Sequence, residues 1–301
     1  MRAIRVRVPC STSNLGAGFD CIGLALDRYL TATLHVGGNP LEVERLGTLA
    51  SLGDDQDDLV VAAARTRGSE LRGRLVLDSD IPVGRGLGSS AAAAVAGLMI
   101  ADALTGERPE KTVVAAAAAS LEGHPDNAVP ATFGGLMAAI TEVNESIETI
   151  RVHRLRLSDA IRFVYAAPQA IVSTKSARQT LPEQIQHGAA TRSLARVIAL
   201  IEGLAEADPE MLRIGFTDEL HVPYRLPLIP GGESALRAAW KAGAYAATIS
   251  GSGSGLIAVC PPDVEFEVND AMRAAFEHAT STEAIAFVAT PDLNGAQYID
   301  A

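Results

Sequence analysis

Apolar and polar positions alternate, then change period, several times along the first half of the chain. AIRVRV, from Ala3 to Val8, alternates apolar and basic side chains, the two-residue period of a strand with one buried face. The same reasoning predicts strands in RYLTATLHV and RLVLDS, with CSTSNLGAGFD as a glycine-containing connection between the first two. DDLVVAAARTR instead repeats its apolar residues near helix spacing, and the acidic run Asp54 to Asp58 would favour its entrance through the helix dipole. Further helices are predicted over Ser89 to Leu104 and in EKTVVAAAAASLEG, and strands in TFGGLMAAI and ETIRVHRL. The outcome is an α+β unit reaching the region of residue 155.

A second pattern starts at AIRFVYAAP. That strand is followed by a helix within Ala189 to Glu206, strands near YAATIS and GLIAVC, a helix within Val264 to His278 and a last strand near EAIAFVAT. The order β-α-β-β-α-β predicts a ferredoxin-like second unit, with additional helical material around Pro209 to Leu220 and Glu233 to Ala242. There is no short repeat and no low-complexity linker, so the interface of the two units is the natural place for a ligand cleft.

Composition narrows the class. The chain has 301 residues, 48% of them hydrophobic, and a formal charge of -11, enough to bury a large core and unfavourable for a general nucleic-acid surface. A local basic pocket could still bind phosphate. Three cysteines, Cys10, Cys21 and Cys260, have neither a disulfide pattern nor zinc spacing and suit a reducing cytoplasm. MRAIRVRVPCSTSN lacks a secretory hydrophobic block, and the alanine-rich interior is too interrupted by glycine to predict a membrane span.

The chemistry concentrates in PVGRGLGSSAAAAVAGL, Pro82 to Leu98. Gly84, Gly86 and Gly88 permit close backbone approach, and Ser89 and Ser90 stand where a helix begins, so free amides and the helix dipole would favour an anion. A structural turn leading into a small-residue packing helix accounts for the same residues. No lysine follows Gly88 as a Walker A loop requires, and the spacing is not a GxGxxG fingerprint.

This segment resembles the phosphate-binding PxxxGLGSSAA motif of the GHMP small-molecule kinase family, and its companions resemble the branch whose members phosphorylate homoserine. PCSTSNLGAGFD, EGHPDNAVPATFGG, STKSARQTLP, LHVPYRLPLIP and ISGSGSG occur in the family's order between Pro9 and Gly255. The resemblance implies a GHMP kinase fold: a ribosomal-protein-S5-domain-2-like, ATP-binding unit over residues 1–157 and a ferredoxin-like unit over residues 158–301. It implies ATP as phosphoryl donor, Mg²⁺, L-homoserine as acceptor in threonine biosynthesis, and a homodimer, with no nucleic-acid or membrane partner. Another GHMP kinase acting on a sugar, mevalonate or a diphosphocytidyl intermediate, or an inactive binding protein, are the alternatives.

Residue roles follow from that resemblance. Pro82, Val83, Gly84, Arg85, Gly86, Leu87, Gly88, Ser89 and Ser90 would hold the nucleotide phosphates, and Ser90 with Glu122 would hold Mg²⁺, whose preference is for hard oxygen ligands. Asn14, Asp20, His124, Asp126, Thr174, Arg178, Arg225 and Gly251 would position the amino acid, with Asp126 opposite its ammonium and the arginines suited to its carboxylate. Each has a structural alternative: Asn14 in a turn, Asp20, Asp126 and Asn127 as caps, His124 as a surface hydrogen bonder, the arginines as solvated side chains, and the glycines of ISGSGSG as a tight turn. Thr174 stands where related kinases carry an aspartate base, which leaves a phosphate oxygen as a direct proton acceptor. Ser13, Ala17, the AVP order after Asn127, Val222 and Ser254 depart from commoner residues without removing these side chains.

Overall fold

A strand whose side chains alternate between core and solvent opens the chain in the computed structural model, which describes residues 2–53, 58–144 and 147–300. It is longer than its six alternating residues: β1 (Ala3–Asn14) continues through CSTSN, and β2 (Gly18–Val36) begins at once, so the glycine-containing connection contracts to residues 15–17. Register shifts between Pro9 and Cys10 and between Ser13 and Asn14 bend this hairpin, which carries its end away from the sheet and toward the cleft.

The remaining elements of the first unit are β3 (Glu42–Gly47), α1 (Leu59–Thr66), β4 (Gly73–Ser79), α2 (Ser89–Thr105), α3 (Lys111–Glu122), α4 (Ala128–Phe133), β5 (Leu136–Asn144) and β6 (Ile147–Arg154). Neither β3 nor α4 is anticipated by periodicity. β3 is a half-exposed edge strand parallel to β4, and α4 is six residues long. The TFGG of TFGGLMAAI belongs to the end of α4 and the turn after it, not to a strand. Asp58 caps α1 by accepting from the Val60 amide at 2.9 Å; Asp54, Asp55 and Asp57 lie outside the described residues. α2 is buried along twelve of its residues, as expected of a helix without a polar face.

The second unit comprises β7 (Arg162–Ala167), α5 (Thr174–Gln179), α6 (His187–Glu206), α7 (Pro209–Gly215), α8 (Val222–Arg225), α9 (Gly232–Lys241), β8 (Ala246–Ile249), β9 (Leu256–Cys260), α10 (Glu265–Thr280) and β10 (Ile285–Ala289). Its sheet runs β10-β7-β9-β8 and is antiparallel throughout, the ferredoxin-like order. The short β11 (Gln297–Tyr298) returns to pair with β1, so the end of the chain joins the first sheet.

One helix assignment changes. The ferredoxin-like pair consists of α9 and α10, whose Ala235, Ala239, Val268, Met272 and Phe276 pack with Val164, Ala166, Ala258 and Cys260. α6 and α7 cover the opposite face through Leu200, Leu204 and Leu212, against Phe163, Tyr165, Ile257 and Val259. The segment read as additional, Glu233 to Ala242, is therefore integral. The strands RFVYAA and LIAVC are apolar at successive positions because helices bury both of their faces. Among the described residues, no helix is long and apolar enough to cross a membrane.

Candidate active site

The PVGRGLGSS segment crosses from β4 into α2 along the seam between the two units. Gly88 is the N-cap of α2, in the left-handed region, and no side chain caps the helix. Among the described residues, then, no side chain takes up the first-turn amides at the positive end of the helix dipole, where Ser89 and Ser90 line the cleft. Two close approaches explain the glycines. A Cβ on Gly86 would stand 2.0 Å from the Ser250 carbonyl oxygen, and one on Gly88 would meet Ser11 Oγ at 2.6 Å and Asn127 Oδ1 at 2.7 Å.

The other wall is built by the bent β1–β2 hairpin, the turn after α3, α5, α8 and the GSGSG turn. A cleft of about 330 Å³ is lined by Asn14, Asp20, Val83, Gly84, Gly86, Gly88, Ser89, Ser90, Glu122, His124, Asp126, Thr174, Arg178, Arg225 and Gly251. Every residue expected to position the amino acid is in this lining. Pro82, Arg85 and Leu87 are not: Leu87 is buried, and Arg85 donates to the carbonyls of Pro168, Val83 and Gln169. Arg85 clamps the loop to the second unit, and Tyr165, donating to the Arg85 carbonyl at 2.5 Å, secures it from below.

The polar groups of the cleft are strongly paired. Ser90 Oγ donates to Glu122 Oε2 at 2.6 Å across the α2–α3 packing. His124 Nδ1 and Asp126 Oδ1 are 2.6 Å apart, with Asp126 buried. Burial disfavours the charge of His124, but the hydrogen bond and charge of Asp126 outweigh it and raise its pKa. Burial likewise pushes Asp126 up, while His124, Ser13 and Arg178 bring it below the usual carboxylate range. Each partner therefore favours the charged form of the other.

Asp20 and Arg178 hold each other bidentately, at 2.8 and 3.0 Å, a pairing that joins residues 158 positions apart. Arg225 is different. It is buried and donates to the Gly251 carbonyl at 3.4 Å, and among the described residues its Nε has no hydrogen-bond partner. Burial is the leading influence that lowers its pKa. Thr174 Oγ1 is 3.1 Å from Ser252 Oγ.

Eight lining residues, Ser13, Leu59, Asn127, Ile171, Val172, Ser173, Ser252 and Gly253, were not among the expected site residues. Asn127 donates to Ser13 Oγ and accepts from Ser11 Oγ, a fixed amide directly behind Gly88; its place in the EGHPDN run was the available signal. Ile171 and Ser252 also line the cleft; Ser252 stands within ISGSGSG, whereas no quoted motif contains Ile171. Beside the PVGRGLGSS loop lies a second, mainly apolar pocket of about 260 Å³, lined by Leu30, Leu49, Leu59, Leu77, Ile81 and Val83 among others. It shares Leu59, Val83, Ser89 and Ser90 with the polar cleft.

The donor set also fits a nucleotide phosphate with Mg²⁺. Among the described residues no group of three or more His, Cys, Asp and Glu side chains could hold a metal alone. Mg²⁺ characteristically uses one or two carboxylates together with substrate phosphates and water, which Ser90 and Glu122 at the helix entrance would complement.

Comparison with known proteins identifies the family. Residues 58–135 match the GHMP kinases N terminal domain and residues 200–278 the GHMP kinases C terminal domain. A homoserine kinase from Synechococcus sp. is 38% identical over 283 residues, covering 90% of this chain and 88% of the relative. One from Caldanaerobacter subterraneus is 37% identical over 266 residues, covering 86% and 84%. The crystal structure of homoserine kinase from Cytophaga hutchinsonii superimposes with a TM-score of 0.85 at 27% identity, over 99% of this chain and 98% of the other. Near-complete coverage at this identity, with both domain matches in order, places the chain in the homoserine kinase family of the GHMP kinases.

Proposed function

We propose that the protein transfers the γ-phosphoryl group of ATP to the side-chain hydroxyl of L-homoserine, giving O-phospho-L-homoserine and ADP in threonine biosynthesis. The observation that carries this reading is one cleft with an uncapped helix N-terminus on one wall and an acid-and-arginine set of amino-acid-binding character on the other. ATP is the donor that membership of the GHMP kinases entails. Its phosphates would lie on the amides from Gly86 to Ser90, and its base in the apolar pocket beside Val83. Ser90 and Glu122 would hold Mg²⁺, which when bound supplies compensation for the phosphate charge.

Arg225 is the best placed group for the substrate carboxylate, since it alone of the two cleft arginines lacks a carboxylate partner. Asp126, buried and held ionised beside His124, would receive the ammonium together with Asp20. Asn14 donates to the Gly251 carbonyl and accepts from the Asp20 amide, so it shapes the wall that holds the substrate. Arg178 aligns Asp20, and His124 aligns Asp126. Thr174, with Ser252, would face the hydroxyl without the basicity to deprotonate it, and the proton would pass to a phosphate oxygen. The division near residue 157 into an ATP-binding and a ferredoxin-like unit belongs to the same proposal, as does a homodimer. Three free cysteines support a reducing, cytoplasmic location.

Purified protein incubated with ATP, Mg²⁺ and a panel of small alcohols tests the reading. O-phosphohomoserine formed in step with ADP is expected; ADP release with mevalonate or a sugar but not with homoserine would overturn it.

A further inference from the structure

His221 is buried and does not line the cleft, yet it touches both chain segments that build the substrate wall. Its Nε2 lies 3.1 Å from the Gly16 carbonyl oxygen. Because a carbonyl can only accept, Nε2 carries the proton. The imidazole also stacks on Phe19, with ring centroids 4.8 Å apart and planes 18° from parallel. The same Phe19 ring carries the Arg225 guanidinium, 5.0 Å from its centroid, within cation–π range.

The imidazole is itself held firmly. Asp218 accepts from the amides of Leu220, His221 and Val222 at 3.0, 2.6 and 2.8 Å, which fixes the start of α8. Nδ1 is buried without a hydrogen-bond partner. A lone pair there costs less than a buried N–H would, and protonation would add a cation near Arg225. Burial accordingly holds the His221 pKa below its ordinary value, with Arg225 acting in the same direction, against the raising influence of Asp218, the Gly16 bond and Asp20.

The turn anchored in this way is under backbone constraint. Asn14, Leu15 and Asp20 have φ of 73°, 45° and 54°, a region that residues other than glycine occupy only when their surroundings impose it. Asp20 follows Phe19 directly, and Arg225 ends the helix that His221 precedes.

We propose that His221 is a positioning residue of the substrate site: by bonding Gly16 and stacking on Phe19 it fastens the Asn14–Asp20 turn to the Arg225 helix, setting Asp20 and Arg225 relative to each other. The proposal rests on the homoserine reading above. It predicts a defect confined to the amino-acid side, since the side-chain partners of His221 among the described residues, Gly16, Phe19 and Asp218, lie outside the Pro82–Ser90 loop.

Steady-state kinetics of His221→Phe, which keeps a ring but no donor, and His221→Gln, which keeps a donor but no ring, test this. His221→Phe should raise the homoserine KM about tenfold, as expected for loss of a buried hydrogen bond, with the ATP KM and kcat nearly unchanged. His221→Gln should recover part of the loss. If His221→Phe does not fold, Phe19→Leu should give the same split between the two KM values. Equal changes in both KM values, or none, would overturn the proposal. NMR of ¹⁵N-labelled histidine in the wild-type protein, assigned by difference, gives a readout independent of turnover. A neutral Nε2–H tautomer through neutral pH is expected, and an Nδ1–H tautomer would overturn the anchor even in an active kinase. Failure of the wild type to make phosphohomoserine would instead overturn the homoserine reading, while leaving the tautomer result standing.

Discussion

Replacing Gly86 by alanine adds one carbon where the phosphate loop meets the second unit. Gly86 has a φ of 76°, and placing an L-residue in the left-handed region costs about 1–2 kcal/mol. The new Cβ would also lie 2.0 Å from the Ser250 carbonyl oxygen, whereas real Cβ contacts essentially never fall below 3.0 Å. The two backbones must therefore part by roughly 1 Å. That movement stretches the hydrogen bond from Ser250 Oγ to the Gly86 carbonyl, now 2.6 Å, beyond bonding range, at a further cost of about 1–3 kcal/mol. Together these give a destabilisation of about 2–5 kcal/mol, a fall in Tm of several degrees for a chain of this size. A displacement of about 1 Å in a positioning element can reduce turnover about 100-fold, so kcat/KM for ATP should fall by about that factor.

Gly106→Ala is the control. Gly106 ends α2 with a φ of 85°, but nothing lies within 4 Å of its Cβ position, so it carries the backbone cost without the collision. Coupled ADP release at saturating homoserine gives the kinetics, and differential scanning fluorimetry gives Tm. If Gly86→Ala keeps kcat/KM for ATP close to wild type and melts with Gly106→Ala, the loop is not packed on Ser250 in the way described.

Ser90→Ala and Glu122→Gln should each raise the Mg²⁺ concentration needed for half-maximal rate, by about tenfold or more; an unchanged Mg²⁺ titration would remove them from the metal site. Asp126→Ala should raise the homoserine KM about 10–100-fold while leaving ATP-analogue binding by calorimetry unaltered, and near-normal homoserine saturation would reject the ammonium contact. Ala93→Phe places a ring in the apolar pocket beside the phosphate loop and should weaken ATP but not homoserine binding, so equal weakening of both would show that the base lies elsewhere. The His124–Asp126 pair gives a pH signature. His124, raised, contributes fully below about pH 6.5 and loses that contribution as pH climbs through its folded value; Asp126, lowered, contributes above about pH 3.9 and loses it as pH falls through its folded value. Asp126→Asn should consequently lower Tm most between about pH 4 and 6.5 and less above that window, and a Tm difference that grows toward high pH would contradict the pair.

What could be read from the residues alone was local. GLGSS before an alanine run marks a candidate anion site because glycines and helix entrance are contiguous in sequence, and EGHPDN brings Glu122, the proposed metal ligand, close to Asp126. Asp20 and Arg178 looked like separate ligands for substrate because nothing local reveals that residues 158 apart neutralise each other. The roles of α6 and α9 were exchanged for a similar reason: both are amphipathic, and periodicity does not say which face of a sheet a helix covers. A signal was present in RFVYAA and LIAVC, whose unbroken apolar runs require helices on both faces of the second sheet. His221 stands in the LHVPYRLPLIP run, four residues before Arg225, but that run does not show its anchoring role, because its partners, Gly16 and Phe19, come from the other end of the chain.

The phosphate loop and the seam between the units use the same atoms. Gly86 and Gly88 line the cleft, while the Gly86 carbonyl accepts from Ser250, the Arg85 carbonyl from Tyr165, and the Arg85 guanidinium grips Pro168 and Gln169. Opposite them, the Gly251 amide donates to the Ser13 carbonyl, and Asn14 Nδ2 to the Gly251 carbonyl. Neither unit alone supplies a formed site: the first has the helix entrance but not the arginines, and the second has the arginines but not the acids. A loop with several left-handed residues is intrinsically unfavourable, and here inter-unit hydrogen bonds stabilise it in the shape that exposes the amides. On the proposed role of this loop, affinity for the nucleotide and cohesion of the two units are linked, so a ligand that binds the assembled loop also strengthens the seam.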